Sequence, residues 1–169
     1  RHEQYYFDDG NVVFRVEDTL FNVHRFFFKR DSLVFQTMFA QPSATPGEGE
    51  SDDKPILLES IKSADFACFL ACVYPVNYGS GDLATYDEWA SALELAVLWG
   101  FERVRDFIVK RVQETGTLAE QIVTARRLDM QDWCWDACAK ICQRQAPLTM
   151  EEAQRLGLED TVMISQVRE

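Results

Sequence analysis

An α+β domain, with a small sheet set apart from many helices and a helical C-terminal extension, is predicted by three features of the sequence. Alternating apolar residues open the chain as a β-hairpin over residues 11–24. A polar, turn-rich stretch then separates two short helical segments from a lone apolar strand at Pro55-Ile56-Leu57-Leu58. Beyond that strand, apolar residues recur at helical spacing almost to the end, punctuated by Gly, Pro and repeated capping signals. Strands gathered at one end and helices elsewhere make a sheet that buries one face against a helical cluster.

The elements follow in order. Tyr5-Tyr6-Phe7 precedes the turn-like Asp8-Asp9-Gly10-Asn11, after which Val12, Phe14 and Val16 alternate with Val13 and Arg15. Glu17-Asp18 breaks the run, and Leu20, Phe21 and Val23 form the returning strand. Arg25 to Ala40 reads as a short helix, a break at Asp31 or Ser32, and a second helix, because either side chain can accept from an orphan first-turn amide. Residues 41–54 lack hydrophobic periodicity and are rich in turn formers, so they read as a mobile surface loop. Phe66, Phe69, Leu70 and Val73 mark the next helix, which Pro75 ends. Three capping boxes, Thr85 with Glu88, Thr117 with Glu120 and Thr149 with Glu152, each open a helix. Gly100 separates the first of these from a helix over 101–114, which carries Val104, Phe107, Ile108 and Val112 inward. Trp133, Ala137 and Ile141 stripe a helix over 131–144 that Pro147 breaks, and Thr161 to Val167 forms a terminal helix after Gly157.

Composition narrows the function classes. The apolar fraction of 47% and the twelve Phe, four Trp and five Tyr supply a dense core. Seventeen basic residues against 28 acidic ones, a net charge of −11, leave no basic patch for nucleic acid or anionic membrane. The cluster Arg103, Arg105, Lys110, Arg111 is diluted by Glu102, Asp106 and Glu114 and reads as a solvated helix face. No apolar stretch reaches the roughly 20 residues of a membrane span. The opening Arg1-His2-Glu3-Gln4 lacks an initiator Met and the apolar core of a signal peptide, and reads as a trimmed start.

Residues that could carry chemistry have simpler roles. Cys134, Cys138 and Cys142 lie one turn apart, as do Cys68 and Cys72, but a structural zinc site wants four ligands and only His2 and His24 could add imidazole. Helix-face packing is the reading for these thiols, and their odd count and spacing suit a reducing compartment better than a disulfide framework. His24 stands at a strand–helix junction, Ser32 is an N-cap, Gly47-x-Gly49 lacks the third glycine of a dinucleotide loop, and Gly79-Ser80-Gly81 lacks the spacing of a nucleophile elbow. Neither a catalytic residue nor a metal or cofactor is expected. The region of Trp133, Trp135 and Cys138 suggests either core or a groove for a partner helix, with Trp133 on the buried stripe.

The segment Asn11-Val12-Val13-Phe14-Arg15-Val16-Glu17-Asp18-Thr19-Leu20-Phe21-Asn22-Val23-His24-Arg25 resembles the opening hairpin of BTB/POZ domains. Asp31-Ser32-x-x-Phe35-x-x-Met38-Phe39 resembles the helix that follows there, and Ile56-Leu57-Leu58, Phe66-x-x-Phe69-Leu70, Tyr74, Ala96 and Gly100-Phe101 come in the family's order. The resemblance covers residues 5–114 as a BTB/POZ domain. Arg127-Leu128-Asp129-Met130-Gln131-Asp132-Trp133 and Pro147-Leu148-Thr149-x-x-Glu152-Ala153-x-x-Leu156-Gly157-Leu158 make residues 115–169 a helical extension similar to that of stand-alone fungal BTB proteins.

What the resemblance implies is an interaction module and not an enzyme: a homo- or hetero-oligomerising scaffold with protein partners, a homodimer or a BTB heterodimer, in the cytoplasm or nucleus. Family members dimerise through the N-terminal segment and first helix, which here points to Tyr5, Tyr6, Phe7, Phe26, Phe27 and Phe28. Three consecutive Phe on a helix that advances 100° per residue cannot all face inward, so at least one must stand outside. Many members also act as substrate adaptors on a cullin scaffold of a ubiquitin ligase, and Met38, Phe39, Tyr74 and Tyr78 sit at matching places. The family's hydrophobic-x-Glu motif is absent, since Gly47-Glu48-Gly49-Glu50 offers acids without the apolar anchor. Transcription-associated members line a charged pocket with Asp and Arg, and here the equivalents are Asn11 and Arg25. The alternatives are a purely structural or transcription-associated oligomeriser without a ligase link, and a helical regulatory piece of an enzyme.

Overall fold

A computed structural model describes residues 1–41, 46–78 and 81–168. The chain divides into two compact units, Arg1–Ile108 and Val109–Glu169.

In the first unit a three-stranded sheet has the order β2-β1-β3. Strands β1 (Val12–Val16) and β2 (Thr19–Val23) pair antiparallel with Phe14 opposite Phe21. Their tight turn is made by Glu17 and Asp18, with Glu17 at a positive φ of 53°. The Glu17 carboxylate also accepts from the Ser63 amide at 2.8 Å and so caps a later helix, a bond that keeps its pKa below the ordinary value. Strand β3 is shorter than the apolar run suggests, Ile56–Leu57 only, and it pairs parallel with β1.

The crossover between β1–β2 and β3 carries α1 (Arg25–Asp31) and α2 (Leu33–Ala40). Ser32 alone separates them. Its extended backbone (φ −136°, ψ 120°) lets its amide close α1 on the Phe28 carbonyl, while its Oγ accepts from the Phe35 amide and starts α2. The hydroxyl donates in turn to the Trp99 carbonyl at 2.6 Å. Of the two caps open to the sequence, Ser32 is the one used.

Helix α3 (Ser63–Val73) and helix α4 (Tyr86–Leu98) complete the unit, together with the start of α5 (Glu102–Thr115). Gly100, at φ 66°, makes the reversal between α4 and α5. The core is aromatic. Phe28 meets Phe14, Phe35 and Phe101 at ring separations of 5.3, 4.9 and 5.7 Å. Trp99 packs edge-on to Phe35, Phe66 and Phe69. Offset and edge-to-face pairs of this kind add to the area they bury.

The stretch 46–54 departs from the expectation of a mobile loop; residues 42–45 lie outside the described residues. Gly49 is buried, its carbonyl accepts from Val13 at 2.8 Å and its amide donates to Lys54 at 2.6 Å, so the stretch runs beside β1 as pinned turns. A side chain on Gly49 would meet Ile56 at 2.9 Å, and its φ is +81°. Turn-forming composition here reports bends that are hydrogen-bonded to the sheet.

The second unit packs α6 (Leu118–Arg127), α7 (Gln131–Gln143), α8 (Met150–Leu156) and α9 (Leu158–Arg168) around Ala119, Ile122, Ala137, Ile141, Leu156 and Ile164. The boxes at Thr117 and Thr149, like that at Thr85, are formed. The terminal helix begins three residues before the expected Thr161, because Gly157 (φ 82°) turns the chain and Leu158 resumes the helix at once. The buried Gln121 joins the elements through its Nε2, which donates to the carbonyls of Gln113 and Gly116, while its Oε1 accepts from Trp133 Nε1 at 3.3 Å. Arg144 grips Glu152 with two bonds of 2.6 and 2.7 Å.

The Arg144 guanidinium holds the Glu152 carboxyl down to about 2, helped by the Thr149 amide. A depressed carboxyl stabilises the fold above its ordinary range and loses that contribution as pH falls through it. Thermal stability should therefore drop between about pH 5 and pH 2, and Glu152→Gln should flatten that part of the profile while lowering stability at neutral pH; scanning calorimetry across this range measures both.

Candidate interaction surface

The first turn of α1 organises the surface that the sequence singles out. His24, its N-cap, makes no side-chain cap, so the orphan amides there are met from outside. The His24 amide donates to the Tyr74 hydroxyl at 2.9 Å, and the Arg25 amide donates to Asn11 Oδ1 at 2.7 Å. Asn11 thus acts as a cap for the helix, and the Arg25 guanidinium lies 4.7 Å over the Phe39 ring. The two charged-pocket equivalents are brought together, by backbone and not by charge.

Around that turn the rings collect. Tyr74 meets Phe7 at 4.9 Å, Phe27 at 5.1 Å and Tyr5 at 6.5 Å. Its phenol is pushed up to about 12 by burial, as is that of Tyr5. His24 Nδ1 stands 3.2 Å from the same phenol, and Nε2 3.2 Å from the exposed Asp9. A neutral phenol among rings is an anchor and no nucleophile at physiological pH. Burial likewise raises the Cys68 and Cys138 thiols to about 11 and Cys72 to about 12, keeping them protonated. All five cysteines are free, and among the described residues there is no cluster of three or more metal-ligating side chains.

The six aromatics proposed for a dimer face separate by depth. Phe28 and Tyr5 are closed inside the first unit, at 0% and 4% exposure. Phe28 is the hub of the core, and Tyr5 packs against His2 and Tyr74, so within this chain neither presents a free ring. Tyr6, Phe7 and Phe27 are half-buried, and Phe26 is 62% exposed. Arg30 spreads over both Phe26 and Phe27, 5.5 and 5.2 Å from their centroids. The N-terminal segment runs along the outer edge of β2, with the amides of His2 and Phe7 donating to Leu20 and Asn22. Asp52 of the acidic stretch ties it down, accepting from Tyr6 at 2.5 Å and from Arg1 at 2.9 Å.

Sequence reasoning missed Leu33 (73% exposed), Val34 (51%) and Leu98 (62%). Leu33 and Leu98 flank the Ser32–Trp99 hydrogen bond, placing both beside the α1–α2 break. The signal was available: Leu33-Val34-Phe35 opens a short helix, and only one of three consecutive apolar residues can point straight inward.

Of the proposed partner surface, Met38 and Phe39 are half-buried at the end of α2, and Tyr74 belongs to the ring cluster above. Tyr78 is 84% exposed, with Val76 beside it at 72%. Their loop is clamped, since Asp82 accepts from the amides of Val76 and Asn77 and from Asn77 Nδ2 at 2.6, 2.9 and 2.7 Å, bonds that lower its pKa. Gly79 and Ser80 lie outside the described residues.

A scan against family models matches the BTB/POZ domain over residues 4–116, more than half of the chain. The chain belongs to the BTB/POZ family. A search of curated proteins finds no match. BTB/POZ domains are protein–protein interaction and oligomerisation modules, and the matched span holds every surface described above. No helix among the described residues is long and apolar enough to cross a membrane.

If Asp82 holds the exposed loop in shape, Asp82→Ala should raise amide hydrogen exchange at Val76 and Asn77 by about tenfold or more, in line with the loss of a hydrogen bond to a charged group, and leave the α3 amides unchanged.

Proposed function

We propose that this BTB/POZ chain is a self-associating scaffold whose pairing face is built on α1 and the start of α2. One observation carries the proposal: Phe26, Leu33, Val34 and Leu98 stand in solvent around a break whose inner residues, Phe28, Ser32 and Phe35, are buried. Monomers rarely leave bulky apolar side chains grouped beside one junction without a partner for them. Full burial of one such side chain contributes about 2 kcal/mol. Charge on this face is reduced by the pairing of Arg30 with Asp31. The occupant is a second copy or another BTB/POZ chain, Tyr6, Phe7 and Phe27 extend the face, and the chain acts by binding without chemistry of its own.

Within that reading the chain serves as a substrate adaptor for a cullin-type ligase through Met38, Phe39 and the clamped Val76–Tyr78 loop. What supports this is the exposure of Tyr78 and Val76 on either side of Asn77, with Val76 and Asn77 held by Asp82, an arrangement suited to filling a partner's pocket. The acidic stretch contributes no apolar anchor to such a contact, since Gly49 turns inward along β1.

Light scattering should give twice the chain mass for the native protein and the single mass for Phe26→Glu/Leu33→Glu, with circular dichroism unchanged. A native monomer, or a variant that remains dimeric, would contradict the pairing face. Capture of the chain on a purified cullin scaffold, weakened at least tenfold by Tyr78→Ala, separates the adaptor from a plain oligomeriser; equal capture, or none, removes the ligase link.

A further inference from the structure

The helical extension carries an apolar groove of about 430 Å³ between α7 and α9. Trp135 is 71% exposed at its mouth, Cys138 and Cys142 line α7, and Met163 and Val167 stand on α9, 50% and 72% exposed. A second hollow of about 330 Å³ opens on the other side of Trp135, with Ala125, Met130 and Cys134 in its wall. The Trp135 ring therefore lines both the apolar groove and a second, more polar hollow. Trp133, Ala137 and Ile141 of the same helix are buried in the second unit, so α7 already has its core face filled. Trp135 to Cys142 spans two helical turns, which matches apolar anchors at i, i+3 or i+4, and i+7 on a partner helix.

The charges around the groove select the occupant. Asp129 and Asp160 line the two hollows, and Asp132, Asp136 and Glu159 follow on α7 and α9, against Arg126 and Lys140. Both cations are engaged, Arg126 by Asp160 and Lys140 by Asp136. These pairs cancel, leaving Asp129, Asp132 and Glu159 against Arg168, whose charge remains although it donates to the carbonyls of Ile141, Arg144, Gln145 and Ala146 at the α7 end. The rim is left net acidic, which disfavours a second copy of the same acidic face and favours a basic one.

We infer that this groove is a docking site for an amphipathic helix with a basic flank, supplied by a partner protein and separate from the α1–α2 pairing face. Helix-in-groove recognition buries the apolar stripe, while the acidic rim orients the helix and speeds encounter.

Trp135 reports on its own site, because Trp89, Trp99 and Trp133 are all nearly closed to solvent. The test titrates the whole chain with a helical peptide of Leu and Lys at amphipathic spacing, and with the same peptide carrying Glu for Lys. The basic peptide should shift Trp135 emission to the blue with micromolar affinity, and the acidic one should bind at least tenfold more weakly. Met163→Glu and Val167→Glu should each reduce affinity for the basic peptide at least tenfold although they add negative charge; circular dichroism confirms that the variants fold. Equal binding of both peptides, or unaltered binding by both folded variants, overturns the inference. So does a fall in the native oligomeric mass on Met163→Glu, which would make the groove a contact between copies.

Discussion

The first unit depends on one break in one helix. Seventeen residues of uninterrupted helix from His24 to Ala40 would set Phe28 and Phe35 on one face but about 10 Å apart along the axis, too far for the 4.9 Å contact their rings make. Ser32 folds the segment back, closing α1 with its amide, opening α2 with its hydroxyl and binding the Trp99 carbonyl from the same oxygen. Capping and a buried hydrogen bond each contribute about 1 kcal/mol, a real share of the stability of a small domain.

The same break decides what the surface offers. Once Phe28 and Phe35 meet inside, helical geometry leaves Phe26, Leu33 and Val34 outside, and the chain reversal at Gly100 leaves Leu98 outside as well. Core and proposed pairing face would be two outcomes of a single constraint. Arg30 over Phe26 and Phe27 partly covers the two rings. The ring cluster at Tyr74 fixes the orientation of α1 against α3, so the face is presented by packed elements and not by a loop.

Much of this was legible in the residues. Hydrophobic period two marked the hairpin, and the Thr-x-x-Glu boxes gave three helix starts because their reciprocal hydrogen bonds are local. The ordered motifs pointed to the family that the domain match shows. Other features depended on contacts distant in sequence. Composition made 46–54 look loose, but Gly49 bonds to Val13 and Asp52 to Tyr6, partners far along the chain that hold it in place. Helical geometry required at least one of Phe26, Phe27 and Phe28 to stand outside, but which one does is set by neighbours on other elements. The run Leu33-Val34-Phe35 held a local sign that some of it stands outside, but nothing near Leu98 in sequence reveals that Ser32 binds Trp99 and brings Leu98 beside that run.

Hydrogen exchange measured above and below the dissociation concentration of the oligomer addresses the central claim most directly. The account requires the concentration-dependent protection to fall on peptides covering 25–36 and the end of α4. Protection confined to the helical extension, or exchange that is indifferent to concentration throughout α1 and α2, would contradict it.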